Sequence, residues 1–219
     1  MPALMDTTNI PHPNGKKFKF FERHLNNDLD KLSLFLQEQY KNMEDLSFKN
    51  ITPIVEDDQW LDSASISSIK WREYNVFQFY NNEIYNLLEN ISDVVKEACN
   101  YYDVPFKEQR YMIQGWFNIN YAKKGKLDWH NHGGPWIPFF EGYYCVNTEP
   151  SVTHYSVFGE EILNQNKDNR MIVAEMGHPH KMGDWDWEKP RITIAYDIVP
   201  LSVIMKMKAV PQHWMPLLL

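Results

Sequence analysis

Two short stretches carry paired histidines: His130 and His132 in "WHNHGG", and His178 and His180 in "HPHKM". In an extended segment residues i and i+2 project from the same face, so each pair can offer two imidazoles to a single ion. A facial metal site needs a third ligand from another strand, and the second pair supplies it if the sheets bring residues 130 and 180 together. Imidazole binds iron, zinc, copper and nickel alike, so these residue types indicate a transition metal without naming it. Histidine pairs also occur in solvated loop tips, and the Gly, Asn and Pro around both pairs leave that reading open. His154, in "VTHYSV", reads as a hydrogen-bonded strand residue.

A second kind of chemistry follows in "RITIAYDI", where Arg191 and Thr193 share a face by the same period of two. A guanidinium beside a hydroxyl can grip a carboxylate through charge-assisted hydrogen bonds, which points to an anionic ligand next to the metal. The other reading is a surface arginine opening an edge strand. Trp136, Trp185 and Trp187 lie in the loop sequences "GGPWIPFFEG" and "GDWDWEKP", where they could rim a binding mouth and touch substrate, or simply pack. Cys99 and Cys145 have no partner at metal-ligand spacing and read as reduced packing residues.

These residues need a scaffold, and the pattern of apolar positions describes one. Leu29, Leu32, Leu36, Tyr40 and Met43 recur at helical spacing behind Asn27, an expected cap. Ile84, Leu87, Leu88, Ile91, Val94, Val95 and Ala98 form one stripe, giving a helix over about 82–102 with Asn82 as its expected cap and Pro105 beyond its end. "KFKFF" (17–21) alternates like a first strand. Residues 1–16 read as an irregular arm, and 44–80 as loops with a possible strand and a short helical turn. After Pro105 the texture changes to short runs rich in Val, Ile, Phe, Tyr and Thr, at about 111–121, 139–147, 152–158, 171–176 and 191–199. Gly, Pro, Asn and Asp clusters separate them, as in a β-barrel or sandwich, and the helices would pack against one of its sheets.

The 219 residues, 43% hydrophobic and 15% aromatic, suffice for one sizeable core, so a single domain is expected. A formal charge of −7 with scattered Lys and Arg gives no footprint for nucleic acid. No apolar run approaches the roughly 18 residues of a membrane span, and the N-terminus lacks the apolar core of a secretion signal, so a cytoplasmic protein is expected.

The string "YAKKGKLDWHNH...EGYYCVN...HPHKM...RITIAYD" resembles the iron(II) and 2-oxoglutarate-dependent dioxygenases, particularly their prolyl-hydroxylase-like branches. Their pattern places a Tyr and a Gly before the proximal histidine of H-x-D/E. A "YYL"-like strand, the distal histidine, and an Arg with Ser or Thr two beyond then follow. Tyr121, Gly125, His130, "YYCVN", His180, Arg191 and Thr193 occupy those places. The resemblance spans about 111–199. It implies an α+β chain with a double-stranded β-helix (jelly-roll) core at about 106–200, supporting helices at about 22–105 and a tail at 201–219.

It also implies Fe(II) and 2-oxoglutarate as cofactors, with hydroxylation of a small-molecule or peptidyl substrate by O2 and release of succinate and CO2. By the same resemblance His130 and His180 are metal ligands, while Arg191, Thr193 and, less directly, Tyr121 hold the far carboxylate of 2-oxoglutarate. The chain departs from the pattern where the usual carboxylate ligand stands: His132 occupies that place. Three readings follow: a three-histidine centre, Asp128 as the carboxylate instead, or a carboxylate-less pattern of His132 with Gly134. The alternatives for the whole chain are a cupin-like three-histidine zinc hydrolase or lyase, and a β-sandwich interaction module.

Overall fold

A computed structural model of the chain describes residues 15–47, 65–68, 74–108, 110–121, 128–132, 139–185, 188–206 and 214–219. The expected arm (1–16) falls almost wholly outside them, as do much of 44–80, Gly125, Gly134, Trp136 and Trp187.

Both expected helices form. In α1 (Leu29–Ser47), Leu32, Leu36 and Met43 are buried, while Leu29 and Tyr40 pack against the same core. Its N-terminal amides are met one residue later than the sequence pattern indicates. Asp28 Oδ1 accepts from the Lys31 N–H at 3.2 Å, whereas the Asn27 amide donates to Glu83 O at 3.0 Å and accepts from Asn86 Nδ2 at 2.7 Å. Asn27 thus ties the start of one helix to the other.

In α2 (Asn82–Tyr101) the cap is Asn81 rather than Asn82, because only the residue still in extended backbone (φ −154°, ψ 131°) can fold its side chain onto the first free amides. Its oxygen accepts from Glu83 N–H at 3.0 Å and Ile84 N–H at 3.1 Å. The stripe Ile84, Leu87, Ile91, Val94, Val95 and Ala98 is fully buried. Each large side chain contributes roughly 1.5–3 kcal/mol on burial, so packing rather than helix propensity fixes α2 in place.

What α2 packs against is the larger of the two antiparallel sheets among the described residues. Its path runs β1 (Phe21–His24), β7 (Arg170–Glu175), β4 (Phe140–Asn147), β9 (Arg191–Pro200), β3 (Tyr111–Asn120) and β10 (Met215–Leu217), with β2 (Ser65–Ser67) pairing the other end of β3. The smaller sheet has the order β6 (Glu160–Gln165), β5 (Val152–Val157), β8 (His180–Met182). This is the double-stranded β-helix, with the supporting helices on the outside of the larger sheet.

Alternation along the strands sorts side chains between the two sides. Ile192, Ile194, Tyr196 and Ile198 of β9 join the helix-facing core, while Arg191, Thr193, Ala195 and Asp197 point between the sheets. In β4, Phe140, Tyr144 and Val146 face the helices, and Glu141, Tyr143 and Cys145 face inward. Gly142 makes this layering possible. A Cβ there would sit 2.1 Å from Ile172 O and 2.5 Å from the Tyr196 ring, which crosses β4 so that its hydroxyl donates to Ile172 O at 2.7 Å.

Five strands fall within a residue or two of the sequence expectation, and the misses have physical causes. The first strand starts at Phe21, where "KFKFF" ends. β6, "EEILNQ", carries too many charged and amide side chains to read as a strand. It follows β5 through a two-residue turn whose residues, Phe158 and Gly159, both have positive φ (49° and 90°), the geometry that suits a tight hairpin. β8 is only three residues long, and the segment expected as a tail supplies the short helix α3 (Leu201–Ile204) and β10.

Candidate metal centre

The two histidine segments meet at the edge of the smaller sheet. His130 and His180 form an antiparallel bridge outside the named strands, with His130 N–H donating to His180 O at 3.1 Å and His180 N–H to His130 O at 2.8 Å. This pairing sets the two imidazoles side by side, ring centroids 4.5 Å apart. His132, two residues on and on the same side, brings its ring to 5.0 Å from His180 and 5.4 Å from His130. One ligand nitrogen from each of the three lies within 4.8 Å of the others.

Hydrogen bonds identify which nitrogens are free. His130 Nδ1 lies 2.9 Å from Asp128 O and His180 Nδ1 lies 3.1 Å from His178 O. A carbonyl oxygen can only accept, so both Nδ1 atoms carry the proton and both Nε2 atoms keep a lone pair when the ring is neutral. Burial, helped by the neighbouring His180 and His132, lowers the pKa of His130 to about 4, which keeps it in that form. His132 Nδ1 is 2.8 Å from Asp197 Oδ1. Burial alone would lower its pKa, but the charges of Asp197 and Glu141 prevail and raise it to about 9. A metal at His132 Nε2 therefore displaces a proton, while the Nδ1 bond to Asp197 stays in place.

Behind the rings are two carboxylates that the sequence reading missed. Glu141 of β4 and Asp197 of β9 are direct cross-strand partners, 1% and 6% exposed. Gln114 of β3, opposite Asp197 on its other side, donates to Asp197 Oδ2 at 2.9 Å. Burial opposes ionisation of Glu141, yet the His180 and His132 imidazoles and the Gly177 N–H hold it below the usual carboxylate range. His132, Glu141 and Asp197 also make a second group whose ligand atoms lie within 4.8 Å of one another. The signal was available: a single carboxylate inside the apolar run "FFEGYYCV" requires a partner.

The other candidates divide. Asp128 is exposed, its Oδ1 accepts its neighbour's N–H (Trp129) at 2.8 Å, and it joins neither group of ligands. His178 is buried between the Phe18 and Phe158 rings at 4.9 and 5.0 Å, and His154 pairs with Glu161 at 2.7 Å. Trp185 is buried, and its indole N–H donates to Lys189 O at 3.0 Å within its own loop. Tyr121 follows β3 and stands 42% exposed.

Arg191 and Thr193 lie on the inner face of β9, the face that also carries Asp197. Arg191 is 6% exposed, its Nε donates to Ser151 Oγ at 3.1 Å, and no carboxylate is within ion-pair distance among the described residues. Burial presses its pKa downward, so the fold holds a cation where it costs free energy. Around it runs a polar network that sequence reasoning did not foresee. Asn166 donates to Ser151 Oγ at 2.9 Å and accepts from the Tyr143 hydroxyl at 2.7 Å, and Asn164 donates to that hydroxyl at 2.9 Å.

The donor set fits a divalent transition metal, and the unpaired guanidinium fits an anion. Among the described residues no helix is long and apolar enough to cross a membrane.

No family model and no curated protein matches the chain. Solved structures do match it in fold. A Pseudomonas putida prolyl-4-hydroxylase superposes with a TM-score of 0.52 over 82% of this chain and 92% of that one, at 8% identity. EctD from S. alaskensis with bound Fe gives 0.53 over 84% and 73%, at 14% identity. SnoK, a non-heme alpha ketoglutarate dependent carbocyclase from nogalamycin biosynthesis, gives 0.52 over 83% and 78%, at 8% identity. The fold is that of the 2-oxoglutarate and Fe(II) oxygenases.

Proposed function

We propose that the chain is an Fe(II)- and 2-oxoglutarate-dependent oxygenase that hydroxylates a small-molecule or peptidyl substrate. The observation that carries the reading is Arg191: a buried guanidinium without an anion among the described residues, on the sheet face that also bears Asp197, the partner of His132. A dicarboxylate cosubstrate bound to the metal by one end needs such a cation for the other.

In this reading His130, His132 and His180 hold the iron through Nε2, and Arg191 and Thr193 receive the far carboxylate. The iron, when bound, supplies the chemistry: oxidative decarboxylation of 2-oxoglutarate by O2 to succinate and CO2, with the second oxygen atom passing to the substrate. The protein fixes the imidazoles through Nδ1, excludes water with the inner apolar residues Tyr155 and Ala195, and aligns the cosubstrate.

Anaerobic addition of Fe(II) and 2-oxoglutarate to the purified chain tests this. A visible charge-transfer band that needs both additions supports it. Metal binding that is indifferent to 2-oxoglutarate would instead favour a three-histidine hydrolase or lyase.

A further inference from the structure

Three neutral imidazoles leave a bound divalent cation with no charge compensation from the side chains that hold it. The fold supplies two negative charges one layer back. Glu141 and Asp197 stand directly opposite each other on neighbouring strands, an arrangement of like charges that by itself destabilises a sheet. Both are buried, and neither has a Lys or Arg in ion-pair range among the described residues. Asp197 Oδ1 is bonded to His132 Nδ1 at 2.8 Å. Glu141 Oε2 lies 3.9 Å from the same nitrogen. Its Oε1, which has no hydrogen-bond partner among the described residues, is 3.4 Å from His180 Nδ1, whose proton goes to His178 O. A fold that buries two facing carboxylates beside imidazoles is arranged around a cation.

We propose that Asp197 and Glu141 are positioning residues that together replace the missing ligand carboxylate, holding the negative charge of the site behind His132 and His180 instead of in contact with the metal. The inference rests on the metal centre proposed above. Asp197 orients His132 and increases the donor strength of its Nε2, as carboxylates behind metal-bound histidines do, and Glu141 adds its field to both rings. The pair carries a charge of −2, which balances a divalent ion, whereas a site with one carboxylate ligand balances half of it.

The test is Co(II) binding to the metal-free chain, followed by calorimetry and by the visible spectrum of the ion. Asp197→Asn and Glu141→Gln keep shape and remove charge, and each is expected to weaken Co(II) binding about 10–100-fold while far-ultraviolet circular dichroism is unchanged. Adding His132→Asp to Asp197→Asn moves the carboxylate into contact with the ion and is expected to recover at least tenfold of the loss. His132→Asn with Asp197→Asn, which changes the same atoms without charge, recovers nothing. A purely structural role for Asp197 gives no such rescue.

Wild-type affinity in the Glu141→Gln/Asp197→Asn double variant overturns this inference and leaves the proposed function standing. Loss of binding in that variant together with full binding in His130→Ala also overturns it, since the carboxylates would then hold the ion directly with His132. Failure of the wild-type chain to bind Co(II) removes both readings.

Discussion

Replacing Arg191 by methionine separates what the guanidinium does for the fold from what it does for the ligand. Without ligand, Arg191 is a charge at 6% exposure with one hydrogen bond, to Ser151, and no counter-ion among the described residues. Exchanging a buried ionic group for an apolar side chain of similar length is commonly neutral or stabilising by about 1–4 kcal/mol. Taking the low end, about 1 kcal/mol, the metal-loaded Arg191→Met chain should melt about 2–4 °C above wild type.

With cosubstrate the order reverses. A guanidinium–carboxylate pair contributes roughly 1.5–3 kcal/mol, so the variant should bind 2-oxoglutarate about 10–150-fold more weakly. At a concentration about 100 times the wild-type Kd, ligand stabilises wild type by about 2.7 kcal/mol. A variant about 100-fold weaker gains only about 0.4 kcal/mol at that concentration. Thermal denaturation with Ni(II) in place of iron, with and without 2-oxoglutarate, reads both effects in one assay. A variant that melts well below wild type without ligand, yet gains the same stabilisation with it, refutes the anion role and makes Arg191 structural.

Three further outcomes are expected. His130→Ala and His180→Ala each remove one of three nitrogens at the bridge between the segments and should weaken metal binding at least 100-fold, measured by calorimetry, whereas His154→Ala, whose ring pairs with Glu161, should not change it. Gly142→Ala puts a methyl group 2.1 Å from Ile172 O and against the Tyr196 ring, so urea denaturation should show a loss of about 3 kcal/mol or more, or no folded protein at all. Cys99 and Cys145 are fully buried, and burial raises the Cys99 thiol to about 11, so a thiol reagent at pH 8 should label neither until denaturant is added; fast labelling of the native chain would contradict the core packing.

How much of this was legible in the sequence depends on the range over which each feature is decided. The helices, the shared face of Arg191 and Thr193, and the shared face of His130 and His132 are local, set by periods of 3.6 and 2 that any reader of the chain can count. The caps shifted by one residue because Asn27 and Asn82 each have a neighbour that caps as well: Asn81 is the residue in extended backbone before α2, and Asp28 meets the Lys31 N–H while Asn27 bonds to α2. Register is different, because it is fixed by contacts between segments distant in the chain. Only the folded sheets pair His130 with His180, turn His178 toward Phe18, and leave Asp128 outside the cluster. Glu141 and Asp197 show this best: 56 residues apart, they become partners because β4 and β9 align Glu141 with Asp197 and Tyr143 with Ala195. The sequence by itself determined that the paired histidines and Arg191 with Thr193 could do chemistry and that each pair shares one face of its own strand. The tertiary structure decided which of them meet, because a strand's pleat is a property of its own backbone, whereas its register is settled by burying both sheets' inner faces at once.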